Sequence, residues 1–149
     1  MPGRGAAPTK GKRLEERVAE LARSLELEVY SQVRVGRRLW GAERTIDLIV
    51  TQPEQRKSLG LECKFQDTRG TAEEKIPATI EDIGAWPIPG LVVFEGEGFT
   101  PNMRTYLIST GKAVELPDLE AWLRLYFGLP ILPTPPRTRA SRYPVRARR

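Results

Sequence analysis

The sequence predicts an α/β domain in which a mixed central sheet is flanked by helices. Three observations carry this expectation. An amphipathic helix opens the patterned part, three alternating strand segments follow at hairpin spacing, and a helix–strand unit leads into a further α-β-α run. At 149 residues the chain has room for one domain with a proper core and too little for two.

From Lys12 to Leu27 the apolar residues Leu14, Val18, Leu21, Ala22 and Leu25 recur at helical spacing. The first strand places Val29, Ser31, Val33 and Val35 on one face and Tyr30, Gln32 and Arg34 on the other. After a turn at Gly36–Gly41, a second strand covers Arg44–Thr51, and Gln52-Pro53-Glu54-Gln55 turns the chain into a third over Lys57–Gln66. Connections this short favour an antiparallel meander. A helix is expected over Thr71–Ala85, capped near Thr71 and disturbed by Pro77. Gly90–Glu95 reads as a short buried strand, and Gly96-Glu97-Gly98 as a turn. Pro101–Ser109 then reads as a helix, Lys112–Leu116 as a strand and Leu119–Phe127 as a closing amphipathic helix. Trp122, Leu123, Tyr126 and Phe127 belong to a core or a dimer contact, and Trp86-Pro87-Ile88-Pro89 to a rigid connection. Residues 1–11 are expected to be a disordered basic arm, 12–130 the single domain, and 131–149 a disordered Pro- and Arg-rich basic tail.

Composition narrows the chemistry. The chain has no histidine, which excludes Ser-His-Asp and Cys-His catalysis and His-containing zinc sites. One cysteine, Cys63, makes neither a disulfide nor a cysteine-rich zinc site, and suits a reducing, cytoplasmic setting. No apolar block resembles a membrane span or signal peptide, so no membrane partner is expected. Catalysis must then rest on carboxylates, lysines, hydroxyls or an oxygen-liganded ion such as Mg²⁺. Residues 1–13 carry four basic groups and residues 133–149 carry six, with no acids in either, while residues 14–132 carry a net −5. Basic tails of this kind suit a polyanion, through counterion release, as well as plain solubility.

Asp47 interrupts the apolar run Ile46-Asp47-Leu48-Ile49-Val50, where a carboxylate is costly unless paired, metal-bound or at an open strand end. In the third strand, period two places Glu62, Lys64 and Gln66 on one face, with Glu62 and Lys64 about 7 Å apart. Two carboxylates converging from adjacent strands can hold Mg²⁺, and a lysine beside them can orient a water or offset transition-state charge.

The order helix, hairpin, Thr45-Ile46-Asp47-Leu48, then Glu62-Cys63-Lys64, then helix and strand, resembles the PD-(D/E)xK nuclease superfamily from about Gly11 to Glu95. Ile46 stands where the name-giving proline would be, a proline often absent from the family. The resemblance implies a restriction-endonuclease-like αβββαβ core with a C-terminal α-β-α extension. It also implies Asp47 and Glu62 as ligands of Mg²⁺ or Mn²⁺, with the Cys63 backbone carbonyl as a candidate further donor, and Lys64 as the catalytic lysine. Gly11-Lys12-Arg13-Leu14-Glu15 is similar to the Gly-x-x-x-Glu opening of archaeal-type Holliday-junction resolvases, which nominates Glu15 as a further catalytic acid, with the more solvent-directed Glu16 and Glu20 as alternatives. The stretch from Phe65-Gln66 through Gly70–Pro77 looks like the segment after the Glu-x-Lys strand in some restriction-endonuclease-like proteins, where Gln66 would approach the site and Lys75 a phosphate. Arg37, Arg38 and Trp40, in the first hairpin turn, are candidates to touch DNA.

The expected function is therefore metal-dependent hydrolysis of DNA by an endonuclease, with a homodimer as the candidate assembly because two strand cuts need two sites. The alternative is a non-catalytic nucleic-acid-binding or assembly protein retaining the fold. A carboxylate-pair glycosidase suits the missing histidine but not the basic tails.

Overall fold

A computed structural model describes residues 9–68 and 72–132 of the chain. Helix α1 runs over Lys10–Ser24, two residues earlier than its apolar spacing predicts, because the Thr9 hydroxyl caps it by accepting from the Lys12 N–H at 3.2 Å. It also ends earlier, since Glu26 takes a left-handed φ of 63° and turns the chain into β1. Strands β1 (Glu28–Arg37), β2 (Glu43–Gln52) and β3 (Lys57–Phe65) form the expected antiparallel meander. Helix α2 (Ala72–Ile83) retains Pro77 inside it. Strand β4 (Gly90–Glu95), helix α3 (Pro101–Ser109), strand β5 (Ala113–Glu115) and helix α4 (Leu119–Tyr126) complete the fold. The predicted cap at Thr71, most of the N-terminal arm and nearly all of the C-terminal tail lie outside the described residues.

The five strands lie in the order β1-β2-β3-β4-β5, with β4 parallel to β3 and β5 parallel to β4. The sheet is mixed, as expected, and has helices on both faces. Beneath α1 and α4, Leu14, Val18 and Ala22 meet Leu48, Val50, Leu59, Leu61 and Val93, with Leu123 and Phe127 closing the layer. On the opposite face Ile76, Ile83 and Leu107 of α2 and α3 pack with Ile46, Val92 and Phe94. Trp86 is more than a linker residue. It is buried over Gly60 and Gly90, which face each other in the β3–β4 register, and a Cβ on either glycine would come within 2.6 Å of its ring. Its indole N–H donates to Asp82 at 3.1 Å.

Strict alternation in β1 and β2 is overturned. Leu48 and Val50 pack beneath α1, whereas Ile46 and Ile49 pack on the α2 side, so the period slips at Asp47. In β1, Val29 joins the α1 layer and Val35 the α2 layer, so the four residues expected on one face are divided between two. Gln32 lies between the pairs Ser31↔Leu48 and Val33↔Ile46, opposite Asp47, and has a φ of 51°. A single left-handed residue reverses which face the following side chains meet.

Candidate active site

Strands β2 and β3 pair from Gln52↔Lys57 up to Leu48↔Leu61 and then diverge. Asp47 and Glu62 stand at that fork. The Asp47 carboxylate accepts from the Cys63 N–H at 3.0 Å, and the Asp47 N–H reaches Glu62 Oε1 at 3.4 Å. Side-chain oxygens thus take over where the backbone ladder stops supplying acceptors. Glu62 is buried, at 7% exposure, while Asp47 and Lys64 are half-buried. Lys64 Nζ lies 3.9 Å from Glu62 Oε2. Asp47, which interrupts an apolar run, and Glu62 and Lys64, which share a strand face, therefore lie beside one another.

Their electrostatics follow from that placement. Burial, and then the charge of Asp47, push the Glu62 carboxyl up to about 7, against the opposing pull of Lys64. The Cys63 thiol is also pushed up, by burial first, so the sulfur stays protonated within the layer under α1 and is no thiolate ligand. Only the Cys63 backbone carbonyl remains as a donor.

The arrangement fits a hard divalent cation. The available donors are oxygens, and two carboxylates this close repel one another, a cost that a cation between them would relieve. Among the described residues no group of three or more Asp, Glu, Cys or His side chains is gathered around one point. The carboxylates are a pair, and further coordination would come from backbone carbonyls or water.

Glu15 stands beside this pair rather than in it. It is half-buried, whereas Glu16 and Glu20 are exposed, in keeping with its inward phase on α1. Its carboxylate receives Lys12 Nζ at 3.0 Å and Gln32 Nε2 at 3.4 Å. The Lys12 ammonium is pushed up by its hydrogen bond with Glu15, then by the charge of Glu15 and, more weakly, by that of Asp47. Lys12 and Gln32 are thus neighbours of the site that the sequence reading did not select. Gln32 is placed by its left-handed backbone, which leaves no mark in residue type. Helix α1 is tied at its middle to the end of β4 by Arg17, which grips the Glu95 carboxylate at 2.8 and 2.9 Å, and at its start to the segment after β3 by a Lys10–Asp67 ion pair.

Gln66, expected on the strand face of Glu62 and Lys64, falls one residue beyond β3 and is engaged elsewhere. It is buried, and its amide donates to the Gly98 carbonyl at 3.0 Å, in the turn after β4. The Gly98 N–H returns a bond to the Gln66 carbonyl at 2.8 Å. Its Oε1 is enclosed without a hydrogen-bond partner among the described residues. Lys75 is exposed on α2. Arg37 braces the first hairpin by donating to Gly41 O at 2.9 Å, and Arg38 reaches Asp82 of α2 at 3.6 Å. Among the described residues no hydrogen bond or ion pair joins these four to Asp47, Glu62 or Lys64.

A three-layer α/β/α sheet with paired carboxylates and a lysine at a strand fork defines a nuclease-like class of domain. A profile of the PD-(D/E)XK nuclease superfamily domain matches residues 6–122, and the chain belongs to that superfamily. No curated protein sequence matches it. Among solved structures it is similar to a protein of unknown function, AF1548, at 18% identity and a TM-score of 0.48, over 68% of this chain and 55% of that one. It is also similar to a repair endonuclease from Pyrococcus abyssi at 9% identity and a TM-score of 0.41, over 73% of this chain and 49% of that one. The chain thus spans about half the length of these solved chains, and likenesses this distant carry no further argument.

Proposed function

We propose that the protein is an endonuclease that hydrolyses phosphodiester bonds in DNA with the help of Mg²⁺, or Mn²⁺ in its place. The observation that carries this reading is the convergence of Asp47 and Glu62 at the β2–β3 fork, with the Lys64 ammonium 3.9 Å from Glu62. Asp47, Glu62 and the Cys63 carbonyl would hold the ion. When bound, such an ion polarises the phosphoryl group and acidifies water. Asp47 is fixed for this task by the Cys63 N–H. Glu62 is held in a buried position where its anion has little other compensation, which favours cation binding above its raised pKa of about 7. Lys64 donates to the attacking water or to the phosphoryl oxygens, where charge accumulates in the transition state. Glu15, locked by Lys12 and Gln32, is a further acid at the rim, one side chain removed from the pair. Gln66 acts through the turn it pins rather than by touching substrate.

Family membership supports a nuclease, and the donor set supports a metal-assisted one. Among the described residues no helix is long and apolar enough to cross a membrane. The test is to incubate the full chain with supercoiled, linear and four-way-junction DNA, with and without Mg²⁺ or Mn²⁺. The Glu62→Ala and Lys64→Ala variants are run beside it. Cleavage that needs the metal and both side chains is the expected result. Binding without cleavage of any substrate would instead favour a non-catalytic nucleic-acid-binding protein.

A further inference from the structure

Beyond Asp47, residues Glu43–Ile46 of β2 pair with β1 alone, so the hairpin continues past β3 as a two-stranded ribbon. It projects from the end of the sheet that carries the fork, about 13 Å along β2 from Asp47 to Glu43. Near its turn it is clamped to α2, where Asp82 takes Arg44 at 3.0 Å and Arg38 at 3.6 Å while also accepting from Trp86. Its turn is closed by Arg38 N–H to Ala42 O at 2.6 Å and by Gly41 N–H to Arg38 O at 3.1 Å.

At the tip stands Trp40, 94% exposed, with a left-handed backbone at φ 66°, ψ 15°. The fold gains nothing from it. A bulky residue is a poor occupant of that conformation, which Gly or Asn adopts readily, and an indole in water forgoes the area that makes tryptophan stabilising. The ribbon segment 33–44 also holds four arginines against one acid, Glu43. Arg34 pairs with Glu43, and Arg44 and Arg38 pair with Asp82, which leaves Arg37, a donor to Gly41 O, as the arginine of the ribbon outside any ion pair among the described residues. An exposed aromatic flanked by cations, on a rigid ribbon beside a phosphodiester site, has the chemistry of a base-stacking device.

We infer that Trp40 stacks on an unpaired base of the nucleic-acid substrate, so that the ribbon directs the enzyme to DNA with single-stranded or splayed nucleotides. This rests on the nuclease reading and specifies its substrate class. Inside an intact duplex both faces of every base are covered by neighbours, and an indole finds no π surface there without unstacking. At a flap, loop or single strand the faces are open, and stacking tolerates any sequence because every base has one. Arg37, exposed and outside any ion pair among the described residues, would meet a flanking phosphate, fixing register without reading bases.

The test uses the full chain in EDTA, to hold off cleavage, with three fluorescently labelled probes. They are a short single strand, a blunt duplex of the same sequence, and that duplex carrying an unpaired flap. Trp40→Ala is expected to weaken binding to the single strand and the flapped duplex by about 5- to 150-fold, the range that stacking on one base carries. Binding to the blunt duplex should change by less than about twofold, and Trp40→Phe should retain most of the affinity for unpaired DNA. Because the side chain is 94% exposed, the Tm of both variants should lie close to that of the parent. Equal weakening on all three probes, or none on any, overturns the inference. Absence of binding to every nucleic acid overturns the nuclease reading with it. Metal-dependent cutting of flapped DNA that is indifferent to Trp40→Ala overturns the base-stacking role alone.

Discussion

Replacing Glu62 with glutamine removes one negative charge from a buried site and leaves an oxygen in place to accept from the Asp47 N–H. The native carboxyl titrates at about 7 instead of its ordinary 4.5, chiefly through burial and secondarily through Asp47. The folded state therefore holds a proton that the unfolded state has lost between those two values. Stability must fall as pH rises through that window and level off above it. The full displacement corresponds to about 3 kcal/mol. For a folded part of this size that is roughly 10 °C in Tm. Glutamine has no such window. Thermal unfolding of the metal-free protein from pH 4 to 9 is the assay, with the difference between parent and variant isolating the one group. Glu62→Gln should match the parent near pH 4 and exceed it by several degrees at pH 8. Added Mg²⁺ should raise the Tm of the parent at pH 8 and leave the variant nearly unmoved. A flat parent profile, or a variant no more stable than the parent at pH 8, would refute the claim that Glu62 is strained as an anion without a cation.

Lys64→Ala is expected to lower kcat by about 10²–10⁴-fold while leaving the Mg²⁺-induced rise in Tm intact, and loss of that rise would make Lys64 part of metal binding. Asp47→Ala leaves the Cys63 N–H without its acceptor and should cost about 1–3 kcal/mol in urea unfolding, whereas Asp47→Asn, which keeps an oxygen there, should cost less. Equal costs would mean that the bond contributes nothing. Gly60→Ala would push a methyl within 2.6 Å of the Trp86 ring and should destabilise by about 1–3 kcal/mol. Gly96→Ala should be worse, because φ is +118° and its Cβ would meet the Gln66 carbonyl at 2.0 Å; the reverse ranking would refute the account of that turn.

The element order and the Glu62/Lys64 pairing were legible because each rests on local periodicity. Strand β4 at Gly90–Glu95 follows from an apolar run bounded by Gly and Pro, whereas helix α3 at Pro101–Ser109 is marked by its start, with Pro101 in the first turn behind the Thr100 cap. Period two in β3 is undisturbed, so parity alone puts Glu62 and Lys64 side by side. What depends on one backbone angle was hidden. Nothing in the composition of Gln32 announces a φ of 51°, nor does Val35 announce the register shift between Arg34 and Gly36, and with both irregularities in β1 Val29 and Val35 end in different layers. The seat of Trp86 was equally hidden, because it needs Gly60 and Gly90 to be neighbours across a parallel pair 30 positions apart in sequence. Gln66 shows the limit of parity as an argument: the right face does not decide where a flexible side chain ends, and the Gly96–Gly98 turn captured it.

The slip at Asp47 and the chemistry of the site are one feature. Ile46 and Leu48 are both fully buried, yet in opposite layers, so the residue between them cannot be expelled to either side without uncovering a core residue. A carboxylate in that position is held at the edge where β3 departs, with one of its oxygens committed to the Cys63 N–H. Glu62 is the next residue that β3 would have paired there, and divergence of the strands leaves its side chain to meet Asp47 instead. The like-charge pair thus arises from the place where the ladder stops, and apolar packing on both sides of Asp47 prevents the two carboxylates from relaxing apart. Lys64 relieves them in part, and protonation or a bound cation relieves them further, which is why the same contacts that weaken the metal-free fold at neutral pH favour ion binding at the site.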